Sequence, residues 1–87
     1  MLYLEKVDVE SYCGHDANVS PVALTLRGTR HVVREVTDRW YEGGIARGSP
    51  IVNYFKVRTE DGREFLLRYD PSADEWRLCV KFLYSAN

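Results

Sequence analysis

A strong charge of either sign is missing from this 87-residue chain, which carries 12 Lys and Arg residues against 13 Asp and Glu, a formal charge of −1. Dedicated nucleic-acid binders usually carry a basic excess, because contacts with phosphates release counterions and supply much of the affinity. The balance excludes a polyanion-binding protein that works through its overall charge. Any such site has to be a local patch.

Long apolar runs and cysteines are also scarce. No run approaches the roughly 18 residues that a membrane-spanning helix needs, and residues 1–6 lack the basic start, apolar middle and cleavage site of a secretory signal. Two cysteines are too few for a disulfide framework. We therefore expect a cytoplasmic protein with reduced thiols and no membrane contact.

The chain does contain enough apolar material for one folded domain. Hydrophobic residues make up 45% of the sequence and aromatic residues 13%, whereas disordered chains have fewer aromatic residues. A chain of 87 residues leaves no room for a second domain, so we predict a single domain over residues 1–87. A domain this small buries only about 60–68% of its unfolded surface, so its core is thin.

Apolar residues recur at every second position, and turn residues interrupt them at short intervals. This pattern is typical of small β barrels and sandwiches. We predict an all-β fold of about six antiparallel strands that curl into a partly open barrel, an SH3-like roll, because closure limits exposed edges. Predicted strands cover residues 2–9, 22–27, 31–40, both arms of a hairpin over 52–69, and 76–82, with loops at 11–21 and 42–50.

Alternation also predicts which side chains face the core. Gly28 supplies the positive φ that a type II′ turn needs at its first central position. Val33 and Val36 are three residues apart, so we predict a β-bulge near Arg34 and Glu35 that returns both valines to the core. On the strand before this turn the predicted inward residues are Val22, Leu24 and Leu26.

The hairpin over residues 52–69 has the best-determined register. With residues 60–62 as its loop and Gly62 in the left-handed conformation, Arg58 lies opposite Glu64, and Tyr54 opposite Arg68. Each of these pairs is favourable by about 0.2–1 kcal/mol. The same register buries the cross-strand pairs Val57–Phe65 and Phe55–Leu67.

The aromatic residues divide between core and surface. Trp40 and Trp76 are expected in the core, because so small a domain needs its largest apolar side chains. Tyr41 adjoins the loop at 42–50, which exceeds the usual hairpin length of about 2–5 residues, and long loops often carry function. We therefore assign Tyr41 to a partner surface. His31 is expected to pack against the hairpin rather than act as a base.

Patterns that would indicate catalysis are missing. The chain has no Gly-x-Ser-x-Gly elbow, and its glycines at 43–44 precede no helix that could cradle a phosphate. Cys13 and His15 share one loop, and a zinc site with His31 and Cys79 would match no zinc-finger spacing. We predict no enzymatic activity, no cofactor and no metal. A metal- or thiol-dependent site at Cys13 and His15 stays the alternative.

The outward face of the last three predicted strands gathers basic side chains around one tyrosine, with Glu64 as the only acidic residue expected there. Such a face can hold single-stranded nucleic acid, because cations follow the phosphates and the ring stacks on a base. The competing interpretation is an ordinary solvated face, neutralised further by the acidic first strand. The candidate partner-binding residues are Tyr41, Tyr54, Lys56, Arg58, Arg68, Arg77 and Lys81.

Several short motifs follow one another in a fixed order. They are Arg27-Gly28, Val33-x-x-Val36, Asp38-Arg39-Trp40-Tyr41-Glu42, Tyr54-Phe55-Lys56-Val57, Asp61-Gly62 and Trp76-Arg77-Leu78. In this order they resemble a small bacterial domain of unknown function. The match spans residues 22–80, and this chain departs from it at Leu24 and Leu26, where a larger aromatic residue is expected. Members occur as short stand-alone proteins and, in actinobacteria, beside or fused to Y-family-polymerase-like proteins of mutagenesis cassettes. The resemblance implies a binding role near DNA repair and supplies no catalytic residues.

Together these features predict a non-enzymatic binding module. Its outward face or the loop at 42–50 is expected to contact a protein, with single-stranded nucleic acid as the other partner class. A structural domain that self-associates through an unpaired edge strand is a further alternative.

Overall fold

The computed structural model describes residues 2–13, 19–43 and 51–81, with the backbone alone for Leu2, Tyr3 and Lys81. These residues contain seven strands: β1 (Leu2–Lys6), β2 (Asp8–Cys13), β3 (Val19–Leu26), β4 (Thr29–Gly43), β5 (Ile51–Thr59), β6 (Glu64–Asp70) and β7 (Glu75–Lys81). The strands form one antiparallel sheet in the order β1-β7-β6-β5-β4-β3-β2, curled into an open half-barrel, so the predicted all-β class and partly open barrel are confirmed. No helix that could cross a membrane occurs in the described residues.

The first predicted strand is divided at Val7, which makes seven strands out of six. β1 pairs with β7 at one edge of the sheet, and β2 pairs with β3 at the other. In a flat seven-stranded sheet the edge strands would lie roughly 29 Å apart, at about 4.8 Å for each step. Lys6 and Asp8 are only two residues apart, so the sheet has to curl here. Val7 is carried into the core by this bend and is 7% exposed.

β4 is shared by two parts of the sheet. Its residues 29–32 pair with β3, and from Val33 onward it pairs with β5. The ladder between β3 and β4 ends at Ala23, and the residues before Ala23 explain why. Val22 is skipped in the pairing with β2, and Pro21 has no amide hydrogen to donate to a further ladder. β3 and β4 therefore do not pair with each other beyond this point.

The core fills the inner side of the half-barrel. The rings of Phe55 and Trp76 pack with their centroids 5.5 Å apart, which confirms Trp76 as a core residue. Burying each large apolar side chain stabilises the fold by about 1.5–3 kcal/mol, so a few residues carry most of the stability. The buried cluster consists of Val7, Leu24, Phe55, Val57, Leu67, Trp76 and Leu78.

The predicted register of the β5–β6 hairpin is confirmed. Arg58 pairs with Glu64, and Tyr54 with Arg68. Gly62 has a φ of +83°, the left-handed conformation that the loop requires. Because local turn chemistry and the facing pairs agree, this hairpin positions the whole central part of the sheet.

The loop of the β3–β4 hairpin begins one residue earlier than the predicted type II′ turn, in which Gly28 is the first central residue. Leu26 pairs with Thr29, so the two-residue loop consists of Arg27 and Gly28. Both loop residues have positive φ, +51° for Arg27 and +83° for Gly28. This is the pattern of a type I′ turn rather than type II′, and it matches the right-handed twist of the flanking strands.

Two bulges interrupt β4, one more than predicted. The pairing with β5 skips Arg34, as expected, and skips Thr37 as well. Val33 packs against the core. Val36 lies opposite the buried Val57 and so faces the inner side, but it is 36% exposed and does not join the core as predicted. A bulge bends its strand and increases the local twist, and Val36 lies between two of them.

Val22 is also wrongly predicted as inward, since it is 43% exposed. It is the extra residue of a bulge, because Glu10 pairs with Ala23 and Ser11 with Pro21. The chain shifts its register by one residue here, and Ala23 takes the buried position instead.

The strands also extend into both predicted loops. Residues 11–13 pair with 19–21, while Glu42 and Gly43 end β4. Strand pairing satisfies their backbone groups even though their side chains are typical of turns. Residues 14–18 and 44–50 lie outside the described residues, as does Phe82 at the end of the last predicted strand.

Candidate functional site

An exposed aromatic pair marks the outer face of β4 and β5. Trp40 lies opposite Tyr54, and their rings stack with centroids 5.4 Å apart and planes 11° apart. Trp40 is 39% exposed, so the prediction that places it in the core is wrong. The bulge at Thr37 is the cause: one extra residue reverses which face the following side chains occupy.

Tyr54 is held at its hydroxyl end as well as by the stack. Its hydroxyl donates to Oε1 of Glu42 at 2.8 Å. Partial burial and this hydrogen bond raise the pKa of Tyr54, while the guanidinium of Arg68, its neighbour across the β5–β6 ladder, lowers it. The net direction is upward, so the phenol stays neutral at physiological pH and the ring is oriented before any partner arrives.

Two of the predicted basic residues are already paired with carboxylates. Arg58 lies 2.7 Å from Glu64 and 3.4 Å from Glu35. Arg77 lies 3.0 Å from Glu75. Their charge is therefore engaged within the sheet and is not free for a polyanion.

Lys56 and Arg68 make no ion pair with any described side chain. The side chain of Lys81 lies outside the description. The acidic first segment was expected to neutralise this face, but Glu5 and Glu10 instead pair with arginines of the β3–β4 hairpin. Two free cations thus remain of the predicted set.

The outer face as a whole is not the basic face that the sequence predicts. Residues directly opposite each other in a ladder share a face. This places five further carboxylates on the side of Tyr54 and Arg68. The prediction that Glu64 is the only acidic residue there is wrong, because β6 and β7 each extend into the predicted turn and β4 adds three carboxylates from the next strand. The five residues are Glu35, Asp38, Glu42, Asp70 and Glu75.

Arg39 occupies the inner face beside Trp40, and sequence reasoning missed it. It lies opposite Phe55, and its guanidinium carbon is 4.8 Å from the centre of that ring. The same carbon is 6.0 Å from the ring of Tyr41, which is 60% exposed. The Nε atom is buried and has no hydrogen-bond partner among the described residues. No sequence pattern distinguishes this arginine from a solvated one; only the register does.

The edge of β4 away from β5 is open beyond Val32, since no described residue pairs with it there. The amide of Arg39 donates to Oδ1 of Asp38 at 2.8 Å, so it points away from β5. Successive amides of a strand point to alternate sides, so the amide of Tyr41 points to the same open side. We call residues 38–43, which pair with β5 in six consecutive pairs, the open β4 segment.

His31 lies at the opposite end of β4 and packs against the β5–β6 turn. Its Nδ1 is 3.0 Å from Oδ2 of Asp61, and its ring centroid is 5.2 Å from that of Phe65. The Thr59 hydroxyl donates to the other oxygen of Asp61. The bonds from Thr59 and His31 hold the pKa of Asp61 below its ordinary value. This cluster links β4 to the hairpin and leaves His31 engaged in packing.

The cysteines give no sign of a shared site. Cys13 is exposed at the end of β2, and Cys79 is half-buried on β7, where burial raises the pKa of the thiol. A raised pKa disfavours the thiolate that acts as nucleophile or ligand. Among the residues that the structure describes, no three His, Cys, Asp or Glu side chains are placed to hold a metal ion. His15 lies outside them, so the site at Cys13 and His15 stays a prediction.

Comparisons with protein-family models, with curated proteins and with solved structures gave no match. The resemblance to the bacterial domain therefore stays a prediction. The functional argument rests on the surface of this chain alone.

Proposed function

We propose that this protein is a non-enzymatic binding module that holds a protein partner on the outer face of β4 and β5. The observation that carries the proposal is the exposed stack of Trp40 on Tyr54. A thin-cored domain gains most by burying its largest side chains. One of its two tryptophans is instead left at the surface. Tryptophan and tyrosine are enriched among the residues that dominate binding energy in protein interfaces.

The polar groups around the stack fit a protein partner. Glu42 bonds the Tyr54 hydroxyl, and Arg68 lies on its other side. An aromatic centre with a polar, hydrogen-bonded rim is the usual anatomy of a protein interface. Because these contacts fix the rings beforehand, less conformational entropy is lost when a partner binds.

The charges favour a protein over single-stranded nucleic acid. Asp38 and Glu42 flank Trp40 on the same face of β4. A base stacked on Trp40 would bring its phosphates towards two carboxylates, and that repulsion opposes binding. Lys56 and Arg68 offer the only described unpaired cations of the predicted patch, fewer than nucleic-acid binding through phosphates normally uses.

Site-specific photo-crosslinking in the source cells tests the proposal. A benzoylphenylalanine at position 56, which is exposed on the same face as Trp40 and Tyr54, should cross-link to a defined protein, identified by mass spectrometry, and Trp40→Ala should abolish the product. The matched control carries the same group at Val22, which is exposed on β3. The absence of a protein product at position 56, or the same product from position 22, would overturn the proposal.

The nucleic-acid version has its own measurement. Anisotropy of a labelled oligothymidine should show no binding at low salt. Binding that weakens steeply with salt, and is lost on replacing both Lys56 and Arg68 by Glu, would make nucleic acid the partner instead. The repair setting implied by the resemblance is the remaining part of the proposal, and a neighbouring gene for a damage-tolerance polymerase would support it.

A further inference from the structure

We propose that the open β4 segment accepts an added β-strand from the partner, and that this strand places a lysine or arginine side chain over Trp40. The inference rests on the proposed function and names the form and chemistry of the partner. Strand addition to an exposed edge is a common mode of peptide recognition, in which backbone bonds give affinity and alternate side chains give specificity.

The backbone of the segment is prepared for such an addition. Its register with β5 is regular over residues 38–43, whereas the part of β4 just before it is interrupted by two bulges. The amide of Arg39 points outwards and is occupied by the carboxylate of Asp38. This oxygen stands where the carbonyl of an added strand would lie. The amide of Tyr41 points the same way, one ladder step along the edge.

The outer side chains of the segment select a cation. Asp38, Trp40 and Glu42 follow one another at every second residue on the same face. An ammonium or guanidinium group over the indole is attracted by the ring, and here it would have a carboxylate on either side. The carbonyl that replaces Asp38 at the Arg39 amide would also release the Asp38 carboxylate for this ion pair.

A second copy of the chain fits the edge less well. Two antiparallel copies that pair with Trp40 opposite Trp40 would set Arg39 opposite Tyr41 of the other copy. This register also sets Asp38 opposite Glu42 twice, because the pairing is symmetric. Like charges directly opposite are destabilising. A basic strand on the same edge meets these carboxylates with opposite charge and has no such repulsion.

Peptide binding by the full chain tests the inference. The probe is a ten-residue peptide of alternating threonine and lysine, and its control replaces every lysine by glutamate. Calorimetry should show binding of the lysine peptide at least about tenfold tighter than that of the glutamate peptide. N-methylation of alternate amides in one register should weaken binding by about tenfold or more, while methylation in the other register should have little effect.

Charge variants locate the binding. Asp38→Asn with Glu42→Gln keeps both hydrogen-bond acceptors and removes both charges, and it should weaken the lysine peptide by about fivefold or more. Asp70→Asn, which removes a charge elsewhere on the same face, should leave the affinity unchanged. Circular dichroism of each variant establishes that the fold is intact.

The outcomes separate the two proposals. Failure of the lysine peptide to bind, or equal effects of both methylation registers, overturns strand addition while the photo-crosslink at position 56 still decides the proposed function. Concentration-dependent dimers in sedimentation that Trp40→Phe abolishes would make the second copy the occupant and would also overturn the inference.

Discussion

The two halves of β4 belong to one strand but face different surroundings. In the first half, residues 29–32 pair with β3, and His31 is 8% exposed against the β5–β6 turn. In the second half, residues 38–43 pair, within the described part of the chain, with β5 alone, and Trp40 is 39% exposed. A strand held on both sides stabilises the domain. A strand held on one side offers its other edge to a partner.

The difference between the halves is set by backbone features. Pro21 cannot donate to a ladder, and Val22 is bulged, so β3 stops pairing with β4. The bulge at Thr37 then reverses the faces and moves Trp40 outwards. Each feature is small, but together they turn part of a core strand into a surface.

The largest effect is expected from Leu24→Ala in the surroundings of the first half of β4, where the strand pairs with β3 and His31 packs against the β5–β6 turn. Leu24 is fully buried and lies opposite His31. Loss of a buried leucine side chain costs about 2–5 kcal/mol, because the cavity adds to the lost burial. A domain of this size has little stability to lose, so the urea midpoint should fall steeply.

Trp40→Ala is the matched variant in the open half. It removes the stack on Tyr54, which contributes about 0.5–1.5 kcal/mol beyond burial. Far-ultraviolet circular dichroism during urea unfolding compares the two variants without relying on tryptophan fluorescence. An equal or larger loss of unfolding free energy for Trp40→Ala than for Leu24→Ala would contradict the contrast, because residues 38–43 would then stabilise the domain as much as residues 29–32 and their surroundings do.

Local patterns made the β5–β6 hairpin predictable. Its register follows from one glycine in the loop and from two favourable facing pairs, all within a few residues of the turn. The alternation of Phe55 and Val57 also gave the buried face of the hairpin. The exposure of Tyr41 followed from its place beside the long loop. These features depend on neighbours in sequence, so the sequence contains them.

Features set by distant parts of the chain were not predictable. The break at Val7 exists because β1 and β2 lie at opposite edges of a curled sheet. The second bulge, which brings Trp40 to the surface, depends on how β4 lies against β5. Arg39 gains its meaning only from its position over Phe55. Periodicity describes one strand at a time, so it contains no information about how that strand pairs with distant ones.

A pair of threonines sharpens the comparison with a smaller effect. The Thr59 hydroxyl is buried, donates to Asp61 and accepts a bond from the Arg63 amide at 3.1 Å. Thr59→Val leaves these partners poorly satisfied and should cost about 1–3 kcal/mol. Thr37 is exposed and bonds the Lys56 carbonyl at 3.1 Å, so water replaces it and Thr37→Val should stay within about 0.5 kcal/mol. Urea titrations of both variants decide, and equal losses would contradict the contrast.

The smallest effect concerns the acid side of the stability profile. The bonds from Thr59 and His31 hold the folded pKa of Asp61 below its ordinary value of 3.8. A lowered folded pKa means that the carboxylate stabilises the fold above the unfolded pKa, and that this contribution is lost as the pH falls through the folded pKa. Asp61→Asn removes the titrating group, so its deficit relative to the native chain should be full near pH 7. Below about pH 4 the deficit should shrink.

The same measurement carries an internal control at the other half of β4. Thr37→Val removes no titrating group, so its small deficit should be constant across the same pH range. Urea unfolding at a series of pH values between about 7 and 3 gives both curves. Parallel curves for the native chain and Asp61→Asn would mean that the carboxylate adds nothing to the stability of residues 29–32 and their surroundings. In that case the His31–Asp61 contact would only accompany the packing of β4 against the β5–β6 turn, and the backbone ladders alone would account for the difference between the two halves.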